Sequence, residues 1–454
     1  MHARLRWPAR VNFANTQGGA SCPIIEAIPR CARFPMRVDQ VYITPDQLCV
    51  GLYIHLDLSW MDHPFTFSSF KIKSDEQIAI LRGLGLSKIR YEPGKSECAP
   101  PPAKPKPATE PVKPAVDEAA LNEKRARVEQ LNAIKAEIEA VEKKFRKAAD
   151  TLKNISRNLH SRPQETMQEA NELVSSMVES MLSIGDVKIH AMSQKLGEDV
   201  YFHALNVAVL SMVLGKAVDL DAEQLQQIGL GALFHDIGKT ELPTTVTMKS
   251  QALNRAEQSL LETHCRLGGK LGLKLGLPES ALRIVLLHHE CCDGSGYPTQ
   301  ARAEQLPQVV KIVSLINAYD NLCNPTNQAN AVTPAEALSQ MFALQRAKFD
   351  ETLLKAFIKC MGVYPPGSLV QLNNDMVGLV LSVNASHSLK PNVLVHDPDI
   401  PKDQAVVISL ETAADLKIVK SLRPNAVSAE TRDYLNPRKR VTYYFDPQTQ
   451  KPGG

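Results

Sequence analysis

The chain has 454 residues, 44% hydrophobic and 22% charged, with a formal net charge of +3. That length suits about two to four domains with a sizeable core, and so mild a charge gives no case for a nucleic-acid polymer as partner. The nine cysteines lack the spacing of a disulfide framework and suit a reducing cytoplasm, and no apolar run reaches the roughly 18 residues that span a bilayer.

Residues 1–35 contain Pro8, Pro23 and Pro29 without a compact apolar segment, so they read as a disordered leader rather than a signal peptide. Residues 36–98 alternate strand-like runs (Val41-Tyr42-Ile43, 50–56, 70–73) with turns. Ser74-Asp75 caps a helix from Glu76 to Leu84, and a strand Lys88–Tyr91 follows, making a small α+β regulatory module. Residues 99–118 are proline-rich and form an extended, semi-rigid linker.

Residues 119–162 form a long helix. Ile134, Ile138, Val141, Phe145, Ala148, Leu152, Ile155 and Leu159 alternate steps of four and three, the period of a coiled-coil seam. A homodimer through 121–159 and packing on the chain's own domain are both open.

Arg162-Pro163 breaks that helix, and residues 163–361 read as an almost wholly helical domain. Its helices are expected at 167–182, 189–196, 199–218, 222–234, 255–275, 280–289, 309–321, 334–347 and 350–360. Residues 362–432 then carry strand-like runs at 368–372, 377–383, 392–396 and 405–409, a β appendage, and 433–454 read as a loose tail. The fold class is mainly α.

His235-Asp236 follows an apolar run and places an imidazole beside a carboxylate with two oxygens, enough to bridge two metals. Alone, the pair is as well read as a polar helix end. His203, His264, His288 and His289 fall in the same domain, and together with Asp236 they argue for a divalent metal site. Asp199 lies four residues before His203, on the same helix face. Gly294-Ser295-Gly296-Tyr297-Pro298 cannot continue a helix, and makes a loop over the paired histidines whose backbone can approach a ligand closely.

The run His203, His235-Asp236-Ile237-Gly238-Lys239, His264, His288-His289-Glu290 and Asp293-Gly294-Ser295-Gly296-Tyr297-Pro298 resembles the HD-GYP family in order and spacing. These are metal-dependent phosphodiesterases that hydrolyse the bacterial second messenger cyclic di-GMP. The module containing Trp60-Met61-Asp62-His63-Pro64-Phe65 and the tail beginning Val363-Tyr364-Pro365-Pro366-Gly367 are similar to those of one branch of the family.

The resemblance implies a helical HD bundle holding two divalent ions (Mn, Fe, Ni or Zn) bridged by Asp236. His203 and His235 would hold one ion and His264 and His288 the other, with His289 a ligand or behind one. Lys239 and Lys311 would neutralise phosphate oxygens. Gly294 and Gly296 would admit the substrate, and Tyr297, followed by Pro298, would meet a guanine. Two positions depart from the family. Where it has a metal-binding Asp this chain has Asn317, with Asp320 at the later Asp of that segment; where some members have a Glu, it has Asp199. Three readings stay open: a phosphodiesterase giving pGpG or GMP, a degenerate chain that binds cyclic di-GMP or a partner signalling protein as an adaptor, and a phosphohydrolase acting on another nucleotide.

Overall fold

The computed structural model describes residues 41–58, 63–65, 67–102, 118–183, 186–192, 201–385, 387–398, 400, 402, 405–413, 415–437 and 440–447. The expected leader, Trp60-Met61-Asp62, most of the linker and Asp199 lie outside these residues.

The N-terminal module has its own sheet and its own core. Strands β1 (Val41–Ile43), β2 (Tyr53–His55), β3 (Ser69–Lys71) and β4 (Ile89–Tyr91) are antiparallel in the order β1-β4-β2-β3. Helix α1 (Asp75–Gly83) starts where Ser74 accepts from the Gln77 amide, and it buries Ile78 and Leu81 against Ile43, Leu52, Ile54, Ile72 and Ile89.

Helix α2 (Glu118–Asn158) ends before Pro163, the first residue of α3 (Pro163–Leu182). Its seam residues Val141, Phe145, Ala148, Leu152, Ile155 and Leu159 are buried in the main core of the same chain, where α2 packs on α3, on α4 (Tyr201–Ala217) and on the C-terminal strands. Of the two open readings for that stretch, the structure shows packing on the chain's own domain from Val141 to Leu159, while Ile134 and Ile138 are half-buried.

Around α4 and α5 (Ala222–Phe234) stand α6 (Thr244–Thr247), α7 (Arg255–Glu262), α8 (His264–Leu275), α9 (Glu279–Leu287), α10 (Gln308–Cys323), α11 (Pro334–Leu344) and α12 (Glu351–Met361). Leu205 and Val207–Leu214 of α4 are apolar apart from Ser211 and buried throughout, as a helix at the centre of a bundle must be. On α5, Asp221 and Gln224 form a reciprocal cap, and every residue from Ile228 to Phe234 is buried.

A second antiparallel sheet closes the bundle. It contains β5 (Val187–Ala191), β6 (Leu369–Leu372), β7 (Val377–Asn384), β8 (Asn392–Val395), β9 (Val406–Ser409), β10 (Ile418–Leu422) and β11 (Tyr443–Pro447), with α13 (Ala429–Leu435) alongside. Two expectations fail here. Residues 189–196 were to be helical, yet Val187–Ala191 is a strand between β7 and β11, with Val187, Lys188, Ile189 and His190 all buried. The tail from 433 was to be loose, yet β11 pairs with the whole of β5 and buries Tyr443, Tyr444 and Phe445. No helix among the described residues is long and apolar enough to cross a membrane.

Candidate metal centre

Three helix ends deliver the histidines. His235 follows α5, His264 opens α8 directly after α7, and His288 follows α9. The last carbonyls of a helix lack intrahelical partners, and each ring uses one three residues earlier. Nδ1 of His235, His264 and His288 donates to the oxygens of Ala232 (2.7 Å), Leu261 (2.6 Å) and Val285 (3.0 Å). His203, on α4, instead donates from Nδ1 to Asp320 Oδ2 at 2.6 Å. All four rings therefore carry their proton on Nδ1 and turn a lone pair on Nε2 inward.

The inward atoms form two groups that share Asp236. Its Oδ2 lies 3.7 Å from His203 Nε2 and 3.3 Å from His235 Nε2. Its Oδ1 lies 3.3 Å from His264 Nε2 and 3.6 Å from His288 Nε2. His203 faces His235 Nε2-to-Nε2 at 3.1 Å, and His264 faces His288 at 3.2 Å. With both Nδ1 atoms protonated, such a pair sets lone pair against lone pair, which a cation between them relieves. Asp236 Oδ1 is buried and has no hydrogen-bond donor. These donors fit two divalent ions, one per group, with His289 completing the set of Asp236, His264 and His288.

Electrostatics favour the metal-ready forms. Burial pushes the His235 imidazole down, and His288 down to about 3, so both are neutral ligands at pH 7. Burial and the neighbouring His288 do the same to His289. Burial would raise Asp236, but Lys239 and His235 outweigh it and hold the carboxyl well below the usual range. The Lys239 ammonium sits 2.6 Å from Asp236 Oδ2 on the partly exposed side of the site.

Gly238 lets this turn close on α8: a Cβ there would run into the His264 carbonyl and the Gly268 amide. After His289 the chain enters the loop expected over the site. Glu290 is buried and ties the loop down, accepting from the Thr299 amide and hydroxyl on Oε1 and from the Ala301 amide on Oε2. Gly294 has φ +79°. Tyr297 stacks on His289 at 4.5 Å between centroids, so one face of its ring is already covered, and Pro298 is exposed. A Cβ on Gly296 would come within 2.5 Å of three backbone atoms, in His289, Glu290 and Cys291. Gly296→Ala is therefore expected to destabilise the chain by about 1–3 kcal/mol and to lower turnover several-fold, measured by thermal melting and steady-state rates.

Not every expected residue converges here. Lys311 pairs with Asp350 at 3.4 Å, and it is Lys239 that contacts Asp236. Asn317 is buried on α10 and accepts from Asn321. Asp320, at the later Asp of that segment, sits behind His203 and orients it. Asn206 and Asn324, which donate to Asp320 Oδ1, were missed, because an asparagine carries no signal until its partner is known.

Helix-end histidines converging on one shared carboxylate define the metal-centred class of HD domains. Residues 176–353 match the HD domain family and residues 40–170 match a domain of unknown function, DUF3391. The cyclic di-GMP phosphodiesterase PA4108 of Pseudomonas aeruginosa is 27% identical over 77% of this chain and 83% of its own length. PdeB of Borreliella burgdorferi, also named a cyclic di-GMP phosphodiesterase, is 23% identical over 42% of this chain and 50% of its own. RpfG of Xanthomonas campestris, a cyclic di-GMP phosphodiesterase response regulator, is 29% identical over 32% and 39%. The chain thus spans most of the first relative and half or less of the other two. The solved structure of Bd1817, a HDG"Y"P protein from Bdellovibrio bacteriovorus, aligns with 70% of this chain and 98% of its own at 15% identity, with a TM-score of 0.40. Residues 176–353 thus carry an HD domain, and the chain is similar over most of its length to a protein named a cyclic di-GMP phosphodiesterase.

Proposed function

We propose that this chain hydrolyses cyclic di-GMP, opening the ring and giving pGpG or GMP. The observation that carries the reading is the placement of Asp236, with one oxygen on each histidine pair. Asp236 and the histidines would hold two divalent ions (Mn, Fe, Ni or Zn), which when bound would supply an activated water and Lewis-acid polarisation of the phosphoryl oxygens. The side chains do the remainder. His203, His235, His264 and His288 are fixed by their Nδ1 bonds, so the site needs little reorganisation on binding. Lys239, beside Asp236 and open to solvent on one side, donates to a non-bridging phosphate oxygen as charge builds there. Gly294 and Gly296 hold the loop close, and Tyr297, braced by His289, offers its remaining face and its hydroxyl to a guanine.

Free cysteines at the described positions suit a reducing compartment, the cytoplasm. Asn317 favours a second reading, a weakly active chain that binds cyclic di-GMP as an adaptor, because the site has one carboxylate fewer to offset its metals. Turnover of cyclic di-GMP by the purified chain loaded with Mn or Fe, and its loss on chelation, tests the enzyme reading. Binding without turnover under every metal would leave the adaptor reading standing.

A further inference from the structure

We infer that the C-terminal strand is a working part of the metal centre, with Asn206 and Asn324 as positioning residues that clamp Asp320, and through it His203, to the backbone of Val441 and Tyr443. The inference rests on the metal-site reading and is independent of the identity of the nucleotide.

The two amides do the same job from two helices. Asn206, on α4, donates one hydrogen to Asp320 Oδ1 (2.8 Å) and the other to the Val441 carbonyl (2.9 Å), and accepts from the Tyr443 amide (2.8 Å). Asn324, just past α10, donates to Asp320 Oδ1 (2.9 Å) and to the Val441 carbonyl (2.8 Å), and accepts from the Val441 amide (2.8 Å). Every amide hydrogen of both side chains is thereby used. Asp320 has no exposed surface, and its other oxygen receives His203 Nδ1.

A carboxylate held by three donors cannot rotate without breaking one of them, so the His203 ring inherits a fixed orientation. Val441 lies 117 residues beyond Asn324, and the strand that follows it is stitched along β5. The sheet that closes the bundle is thus hydrogen-bonded to one histidine pair and, through this route, not to the other. His235, His264 and His288 are oriented locally by their own helix ends. Loosening the clamp should therefore weaken the metal held by His203 and His235 selectively.

The experiment is Mn titration of the full-length, chelator-stripped chain, with metal affinity and the thermal midpoint of the metal-free protein as readouts. Asn324→Ala, at a half-buried helix end, and the Asn206→Ala/Asn324→Ala pair are expected to weaken one metal equivalent about 10- to 100-fold and leave any other near its parental affinity. Phe445→Leu, which disturbs the same strand outside the clamp, is expected to lower the thermal midpoint and spare metal affinity. Should the double variant fail to fold, Asn324→Ala alone decides. Parental affinity in Asn324→Ala, or equal weakening by Phe445→Leu, would overturn the inference. A parent chain that takes up none of Mn, Fe, Ni and Zn would sink the metal-site reading and this inference with it; a parent that binds metal but leaves cyclic di-GMP intact would sink only the nucleotide assignment.

Discussion

Asp236→Asn is expected to lower cyclic di-GMP turnover by about 10³-fold or more and to cost the chain most of its bound metal. The carboxylate is the one group in both histidine sets, with Oδ2 turned to His203 and His235 and Oδ1 to His264 and His288. An asparagine keeps the shape but presents an oxygen to one pair and an N–H donor to the other. It also removes the charge that offsets two cations and that partners Lys239 at 2.6 Å. Losing about 4 kcal/mol of metal-dependent transition-state stabilisation corresponds to about 10³-fold in rate, at about 1.4 kcal/mol per factor of ten. Steady-state turnover with Mn or Fe, alongside metal analysis, measures it. A variant within tenfold of the parent that keeps its metal would mean that the carboxylate does not bridge.

The parts of this site that could be read from the sequence are those whose chemistry lies in covalent neighbours. His235-Asp236, His288-His289 and Gly294–Pro298 each bring their groups together within a few residues, so the family resemblance rests on them, and the structure brings Asp236, His288 and His289 into one cluster. α5, the helix that delivers His235, was also legible from end to end, because its apolar run is local. What escaped depends on pairings between distant segments. Ile189-His190-Ala191 is too short for its period to decide between helix and strand, and its neighbours β7 and β11 lie about two hundred residues away or more. Tyr443-Tyr444-Phe445 sits in a polar tail and becomes core only once β5 is beside it. Asp320 could be placed in sequence only as the later Asp of its segment, since nothing local shows that its face of α10 meets Nδ1 of His203. The heptad-like seam of α2 was real, but its period cannot say whether the covering surface belongs to a second copy or to the same chain.

Asn317→Asp separates the enzyme from the adaptor and should move two quantities in opposite directions. Asn317 and Asp320 are three residues apart on α10 and share a face, and Asp320 meets the histidine cluster at His203. Position 317 is buried, and its amide is engaged by Asn321. With metal, a carboxylate there adds a second anion to a site where Asp236 faces two divalent ions alone, and affinity is expected to rise about 10- to 100-fold, with turnover following. Without metal, the same carboxylate is a buried charge lacking a cation, three residues from Asp320 on α10, and is expected to cost several kcal/mol. The Asp variant should therefore melt below the parent when chelated and above it when loaded with Mn. A neutral surface substitution would leave both midpoints unchanged, and a misfolded variant would lower both. Only an added metal ligand reverses the order. If the order does not reverse, Asn317 does not face the metals, and the shortage of negative charge that favours the adaptor reading loses its basis.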